Sequence, residues 1–113
     1  MLVDLNQQLY SWTIENLVKN SIDAMKGKGK LKIAIANEGK YVTINVTDTG
    51  KGISKQNFNT IFRPGYTSKK RGWGLGLSLA KRIIEDYHNG KLKVLNSEID
   101  KGTTMQISLK LLS

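Results

Sequence analysis

The sequence predicts a single α+β domain built as a two-layer α/β sandwich, in which a mixed, mostly antiparallel sheet is covered on one face by helices. Apolar residues recur at helical spacing in two segments and alternate with polar residues in four others. The segments follow the order helix, strand, strand, mixed loop, helix, strand, strand. We expect residues 1–113 to form one domain, because this length suffices for one hydrophobic core and not for two.

The first helix is predicted over residues 12–25, where the apolar side chains form one stripe. The stripe consists of Ile14, Leu17, Val18, Ile22 and Met25. Asn16, Asn20 and Asp23 stand at positions i, i+4 and i+7, so their side chains share a different face of this helix. The second helix is predicted over residues 77–87 from the same kind of periodicity.

Four strands are predicted, and the second one carries the most informative residue of the chain. A turn at residues 37–40 joins the first two strands, and the last two strands cover residues 91–95 and 104–112. Because side chains alternate between the two faces of a strand, the apolar face of the second strand ends on Asp48. A carboxylate in such a place costs several kcal/mol unless hydrogen bonds satisfy it.

The composition excludes several classes of protein. The chain contains no cysteine and a single histidine, which excludes disulfides and cysteine-based zinc or redox sites. It has no apolar run near the ~20 residues that span a bilayer and no signal-peptide pattern, so we expect a soluble, cytoplasmic domain without membrane contact. The net charge of +9 is compatible with nucleic acid, acidic lipid or a polyanionic small ligand.

Asp48 and the glycines after it have the chemistry of a site for a flat nitrogen base. A carboxylate accepts hydrogen bonds from an exocyclic amine such as adenine N6. Gly50 and Gly52 lack the Cβ atoms that would hold a ring away from the backbone. The alternative is that Asp48 only terminates a strand and closes a turn with Thr49-Gly50.

Two further features have the chemistry of a phosphate and metal site. The amide of Asn20 suits Mg²⁺, which takes few protein oxygens and completes its shell with water and phosphates. The alternative is a polar helix side that carries asparagine by chance. The segment Gly72-Trp-Gly-Leu-Gly76 directly precedes a helix, where backbone N–H groups bind phosphate. It does not follow a strand, and the chain lacks a P-loop motif.

Binding of single-stranded nucleic acid is an alternative function of a different class. Aromatic side chains would stack on bases while cations contact phosphates. The candidates are Phe62, Tyr66, Trp73, Lys69, Lys70 and Arg71. This alternative leaves Asp48 and the asparagine face of the first helix unexplained, so we expect no nucleic acid partner.

Five segments, taken in order, resemble the N, G1, F, G2 and G3 boxes of the histidine-kinase ATPase family. They are residues 15–24, 48–53, 61–69, 72–77 and 102–104, and together they extend across nearly the whole chain. The family also includes gyrase B, MutL and the ninety-kilodalton heat-shock chaperone. The resemblance implies a Bergerat fold, in which ATP lies under a flexible lid formed here by residues 62–71.

The resemblance also implies roles for individual residues around the adenine ring. Asp48 would accept a hydrogen bond from adenine N6, and Thr103 would join Asp48 through water. Gly50 and Gly52 would shape the floor of the site, and Ile53 would pack on the ring.

At the phosphates, the resemblance implies that Asn20 is the Mg²⁺ ligand and that Asn16 is a polar contact on the phosphate side. The lid and its hinge would supply further nucleotide contacts from Lys69, Gly72, Trp73, Gly74, Leu75, Gly76 and Leu77. Asp23 ends the polar face of the first helix. The ending Asp23-Ala-Met25 resembles the nitrogen-regulatory branch of sensor kinases, whereas many other sensor kinases have Lys in place of Asp23.

One position separates the kinases from the ATP hydrolases of this family. The hydrolases resemble one another in a water-activating Glu four residues before the Asn of the N box, where this chain has Asn16. Glu15 is rotated by about 100° around the helix. The resemblance therefore implies the ATP-binding catalytic domain of a sensor histidine kinase, with ATP and Mg²⁺ as cofactors, and an ATP-hydrolysing domain is the alternative.

The same resemblance implies two partners. The first is the dimerisation domain of the same parent protein, which would carry the phosphoacceptor histidine and is expected to be absent from residues 1–113. The second, reached indirectly, is a response regulator. We expect His88 to be an exposed residue at the end of the second helix and not the phosphoacceptor.

Overall fold

The computed structural model of the chain describes residues 7–26, 28–63, 76–87 and 90–110. The elements in chain order are α1 (Gln7–Ala24), β1 (Leu31–Glu38), β2 (Tyr41–Asp48), two 3₁₀ turns (Lys55–Asn57 and Thr60–Phe62), α2 (Gly76–Arg82), a π-helical turn (Ile83–Tyr87), β3 (Lys91–Glu98) and β4 (Gly102–Lys110). Both predicted helices and all four predicted strands are therefore present. Within the described residues, no helix is long and apolar enough to cross a membrane.

The four strands form one antiparallel sheet in the order β1, β2, β4, β3. Two hairpins, β1–β2 and β3–β4, are joined so that β2 pairs with β4 in the middle of the sheet. The helix α1 packs over β2, and α2 packs over β3. The predicted α+β class, with an antiparallel sheet covered by helices, is confirmed.

The core lies between the sheet and the helices. It consists of alternate residues of β2, β3 and β4 together with residues of α1, α2, the π-helical turn and the second 3₁₀ turn: Leu17, Val42, Ile44, Val46, Ile61, Phe62, Ala80, Ile84, Leu92, Val94, Met105, Ile107 and Leu109. Burying one large aliphatic side chain of this kind stabilises a fold by about 1.5–3 kcal/mol. This packing fixes the ends of the central strands, where β2 finishes and β4 begins.

The buried face of α1 differs from the predicted stripe. Leu17 is buried as predicted, but Ile22 is 45% exposed, and the helix buries Thr13 and Ser21 instead. Thr13, Leu17 and Ser21 stand four residues apart and face the sheet together. Because apolar spacing was used to orient the helix, these small hydroxyl side chains on its inner face were missed.

The strand β3 contains a β-bulge between Val94 and Asn96. Before the bulge Val94 faces the core, and after it Ser97 lies opposite Thr103 of β4. One extra residue shifts the inward-facing positions by one, because side chains otherwise alternate strictly. The predicted strand stopped at the bulge for this reason, whereas the observed strand continues to Glu98.

Candidate functional site

The end of β2 brings a carboxylate into the interior of the domain. Asp48 is 5% exposed and lies on the same face as the buried Val46, as the alternation predicted. Its register partner in β4 is Thr103, which is 6% exposed. Two polar side chains therefore stand side by side at one end of a mostly apolar sheet face.

Asp48 also closes a tight turn with the residues that follow it. The Gly50 N–H donates to Asp48 Oδ1 at 2.9 Å, in the pattern that the turn interpretation predicted. A carboxylate has room for about four hydrogen bonds, so the turn occupies only part of its accepting capacity. The turn and a ligand-binding role are thus compatible.

The loop after Asp48 is held between the end of α1 and the β3–β4 hairpin. The Lys51 N–H donates to the Ala24 carbonyl at 3.1 Å. The Asp100 N–H donates to the Lys51 carbonyl at 2.8 Å. Backbone contacts on both sides therefore fix the position of this loop relative to the sheet.

Two glycines allow the loop and the hairpin to approach each other. Gly52 has a φ of +78°, and a Cβ at this position would collide with the carbonyl of Glu98. Gly102 has a φ of +132°, and a Cβ there would collide with the carbonyl of Asp48. Both positions require glycine, because the backbone conformation and the available space each exclude a side chain.

Ser97 joins the loop to the strands and was not identified from the sequence. Its hydroxyl oxygen accepts the Ile53 N–H at 2.7 Å and lies 2.7 Å from Thr103 Oγ1. Its hydroxyl also donates to the Gly102 carbonyl at 2.9 Å. The β-bulge in β3 brings Ser97 into this position, and a search for regular alternation cannot reveal a bulge.

The polar face of α1 extends back from the loop. Asn16 and Asn20 are half-buried and Asp23 is exposed. Asn20 lies one helical turn, about 6 Å along the axis, before Ala24, whose carbonyl meets the loop. The Asn16 side-chain amide donates to the Trp12 carbonyl at 3.3 Å. Asn20 and Ala24 stand four residues apart, so they share one face of α1.

Glu15 lies on another side of α1. It is exposed and lines a surface depression together with Gln8, Ser11 and Trp12. Five residues along an α-helix correspond to a rotation of about 140°, so the Glu15 carboxylate points away from the side that carries Asn20.

The remaining predicted site residues divide into two groups. Ile53 and Leu77 are half-buried and pack against the core, and Gly76 begins α2. The predictions for Lys69, Gly72, Trp73, Gly74 and Leu75, for His88 and for the part of the 62–71 lid beyond residue 63 lie outside the described residues. Phe62, where the predicted lid begins, is buried in the core and so belongs to the packed part of the domain. In the part of the chain that the structure describes, no three His, Cys, Asp or Glu side chains are grouped closely enough to hold a metal ion.

The structure is thus an α+β domain with a buried carboxylate and a glycine-containing loop at one end of an antiparallel sheet. Residues 6–113 match the family described as histidine kinase-, DNA gyrase B-, and HSP90-like ATPase. The chain belongs to this family.

The relatives of this chain include several kinases. It is 38% identical over 98 residues to sporulation kinase C of Bacillus subtilis, covering 87% of this chain and 22% of that protein. It is 38% identical over 94 residues to the sensor histidine kinase ZraS of Escherichia coli, covering 83% of this chain and 20% of that protein. The chain therefore spans about a fifth of the length of these curated relatives.

The fold has a close counterpart among solved structures. The catalytic domain of histidine kinase ThkA superposes with a TM-score of 0.83 at 32% identity, covering 96% of this chain and 70% of that chain. The fold of this chain is therefore that of a histidine kinase catalytic domain.

Proposed function

We propose that this chain is the ATP-binding catalytic domain of a two-component sensor histidine kinase. In this function the domain holds Mg²⁺-ATP for phosphoryl transfer to a histidine on a separate dimerisation domain. The observation that carries the proposal is the buried Asp48 at the start of a loop that packs closely against the β3–β4 hairpin. Gly52 and Gly102 make this close packing possible. The similarity to histidine kinases supports the same function.

Asp48 fits the exocyclic amine of adenine. Its Oδ1 accepts the Gly50 N–H, and the carboxylate keeps further accepting capacity for a ligand. Thr103 lies next to Asp48 across the strand pair and fits a water that bridges to the base. A 6-oxo purine would place a carbonyl oxygen against the carboxylate, and this repulsion favours adenine over guanine.

Asn20 fits a Mg²⁺ ion that arrives with the nucleotide. Asn20 is half-buried, and Mg²⁺ at nucleotide sites needs only one or two protein oxygens. When bound, the ion neutralises charge on the phosphates. From the family resemblance, Lys69 and the backbone N–H groups of residues 72–76 supply the other phosphate contacts, and Asn16 and Asp23 line the same side.

The residues of α1 favour a kinase over a hydrolase. Position 16 holds an amide, which cannot act as a base near neutral pH, and Glu15 points to another side of the helix. From the family resemblance, the nucleophile is a histidine of the dimerisation domain. Its imidazole nitrogen forms the new bond to the γ-phosphorus as the bond to the bridging oxygen breaks, and ADP leaves.

The proposal extends to the branch, the partners and the location of the domain. Asp23-Ala-Met25 resembles the ending found in the nitrogen-regulatory branch. The chain is also 25% identical to nitrogen regulation protein NtrY of Azorhizobium caulinodans, over 93% of this chain and 14% of that protein. We assign the domain to that branch. A response regulator is then the final receiver of the phosphoryl group, and the cytoplasm is the compartment in which the domain meets ATP.

Phosphoryl transfer tests this function. The purified chain is mixed with the dimerisation domain of its own parent protein and with γ-labelled ATP. We expect label on the histidine of that domain, in the acid-labile form that a phosphohistidine takes, and negligible ATP hydrolysis by the chain alone.

Variants of α1 distinguish the kinase from the hydrolase. Asn16→Glu introduces a potential base and is expected to create weak hydrolysis, whereas Glu15→Ala should leave transfer unchanged because Glu15 faces another side. Steady ATP turnover by the unmodified chain, abolished by Glu15→Ala and spared by Asn16→Ala, contradicts the kinase proposal.

A further inference from the structure

Three side chains form one row across the sheet at the site. Register pairs Ser97 of β3 with Thr103 of β4, and Thr103 with Asp48 of β2. The β-bulge at residues 94–96 creates this row, because without it Asn96 and not Ser97 would stand opposite Thr103. Bulges of this kind often re-aim a side chain next to a functional site.

The hydrogen bonds of Ser97 define the direction of the neighbouring hydroxyl. A serine hydroxyl has one proton and two acceptor lone pairs. Ser97 accepts from the Ile53 N–H and donates to the Gly102 carbonyl, so its one proton is used. The 2.7 Å contact with Thr103 Oγ1 is then satisfied only when Thr103 donates its proton to Ser97.

We propose that Ser97 is a positioning residue that holds the Thr103 hydroxyl proton away from the base site, so that Thr103 and Asp48 present only acceptors to the base. Acceptors opposite position 6 of a purine select an amine, which donates, against a carbonyl oxygen, which accepts. This inference rests on the proposed function, because it concerns the base that the site recognises. If Ser97 only supported the fold, its removal would weaken the binding of both kinds of purine alike. As a positioning residue, it changes the preference between them.

Inosine triphosphate is a suitable probe of this selectivity. It carries the same ribose and triphosphate as ATP, has an oxygen in place of the 6-amino group and bears a proton on N1, where adenine has a lone pair. Removing the Ser97 hydroxyl frees the Thr103 proton to turn toward that oxygen, directly or through water. The ratio of the two affinities therefore reports the direction of the Thr103 hydroxyl, whereas a loss of general support weakens both nucleotides equally.

The experiment compares the affinities of Mg²⁺-ATP and Mg²⁺-ITP for the chain and its variants by calorimetry. We expect Ser97→Ala to lower the ratio of ATP affinity to ITP affinity by about three- to tenfold, the size expected for one hydrogen bond. Ser97→Thr keeps the hydroxyl and should restore the ratio. Asn96→Ala, an exposed neighbour in the same strand, should leave it unchanged.

Each result decides the inference. Equal weakening of both nucleotides by Ser97→Ala, or an unchanged ratio, overturns it while leaving the proposed function intact. If Ser97→Ala does not fold, Thr103→Val decides, because loss of the Thr103 acceptor must also lower the ratio, and an unchanged ratio there overturns the inference. Absence of ATP binding by the unmodified chain instead contradicts the proposed function itself.

Discussion

At the base end of the site, which we define as Asp48, residues 50–53, Ser97, Gly102 and Thr103, backbone contacts hold almost every group in place. The loop bonds to α1 on one side and to the β3–β4 hairpin on the other. At the phosphate end, which we define as Asn16, Asn20 and Asp23, the polar groups are side chains on one helix face, half-buried or exposed. The residues of the base end therefore lie at one end of the sheet, and those of the phosphate end lie on the helix α1.

This difference indicates how the two ends contribute to function. Groups fixed by packed backbone discriminate between ligands, since they cannot turn to suit a different base. Side chains on a helix face retain more freedom and suit a metal ion whose shell is completed by water and phosphate. We therefore expect substitutions at the base end to affect both folding and base selectivity, and substitutions at the phosphate end to affect Mg²⁺ dependence.

The largest effect is expected from a glycine at the base end. Gly52 and Gly39 have similar φ values, +78° and +73°, but only Gly52 is crowded, and nothing lies within 4 Å of a Cβ at Gly39. Gly39→Ala should cost about 1 kcal/mol of unfolding free energy from backbone strain alone. Gly52→Ala should cost about 3 kcal/mol or more, because strain and the collision with Glu98 combine.

Chemical denaturation of both variants measures this difference. The Gly52 variant should also lose ATP affinity, whereas the Gly39 variant should bind ATP normally. Equal destabilisation by the two substitutions would show that the loop is not held against the hairpin as the structure indicates.

The second effect concerns the buried carboxylate. Asp48→Asn replaces an ionised acceptor by an amide, so binding of ATP should weaken by about 1.5–3 kcal/mol and the preference for adenine over guanine should fall. Asp100→Asn is the matched control, since Asp100 is exposed and has a φ of +66°, which asparagine also adopts. If the Asp48 variant folds normally and binds ATP as tightly as the unmodified chain, Asp48 serves only the turn.

The smallest effect is expected at the phosphate end. Asn20→Ala removes the proposed Mg²⁺ ligand and should weaken ATP binding by about 0.5–1.5 kcal/mol in the presence of Mg²⁺, with no loss when the ion is chelated. Asn37→Ala, an exposed amide in β1, is the control and should change neither measurement. A loss that persists without Mg²⁺ would assign Asn20 to another role.

Much of the base end could be predicted from the sequence because strict alternation has direct geometric consequences. A period of two along β2 placed Asp48 on the buried face. The glycines after it were expected to admit a flat ring, whereas in the structure protein atoms fill the space that a Cβ would take, from Ala24 at Gly50 and from Glu98 at Gly52. The fold class followed from the same patterns together with the two helical periodicities.

The features that were not predicted are those that interrupt the regular spacing of apolar residues in a strand or a helix. The bulge in β3 interrupts the alternation, so neither the extent of the strand nor the place of Ser97 could be derived. On α1, Thr13 and Ser21 occupy the inner face, and apolar spacing assigned Ile22 to it instead. Hydroxyl side chains are compatible with both burial and exposure, so they carry little orientational signal in a sequence.

Calorimetric titration of the chain with Mg²⁺-ATP and Mg²⁺-GTP tests the central claim most directly. We predict binding of ATP at micromolar to millimolar strength and distinctly weaker binding of GTP, because in the proposed site the base end presents acceptors to the 6-amino group. Equal affinity for the two nucleotides, or no heat with ATP alongside clear binding of a single-stranded oligonucleotide, would contradict it.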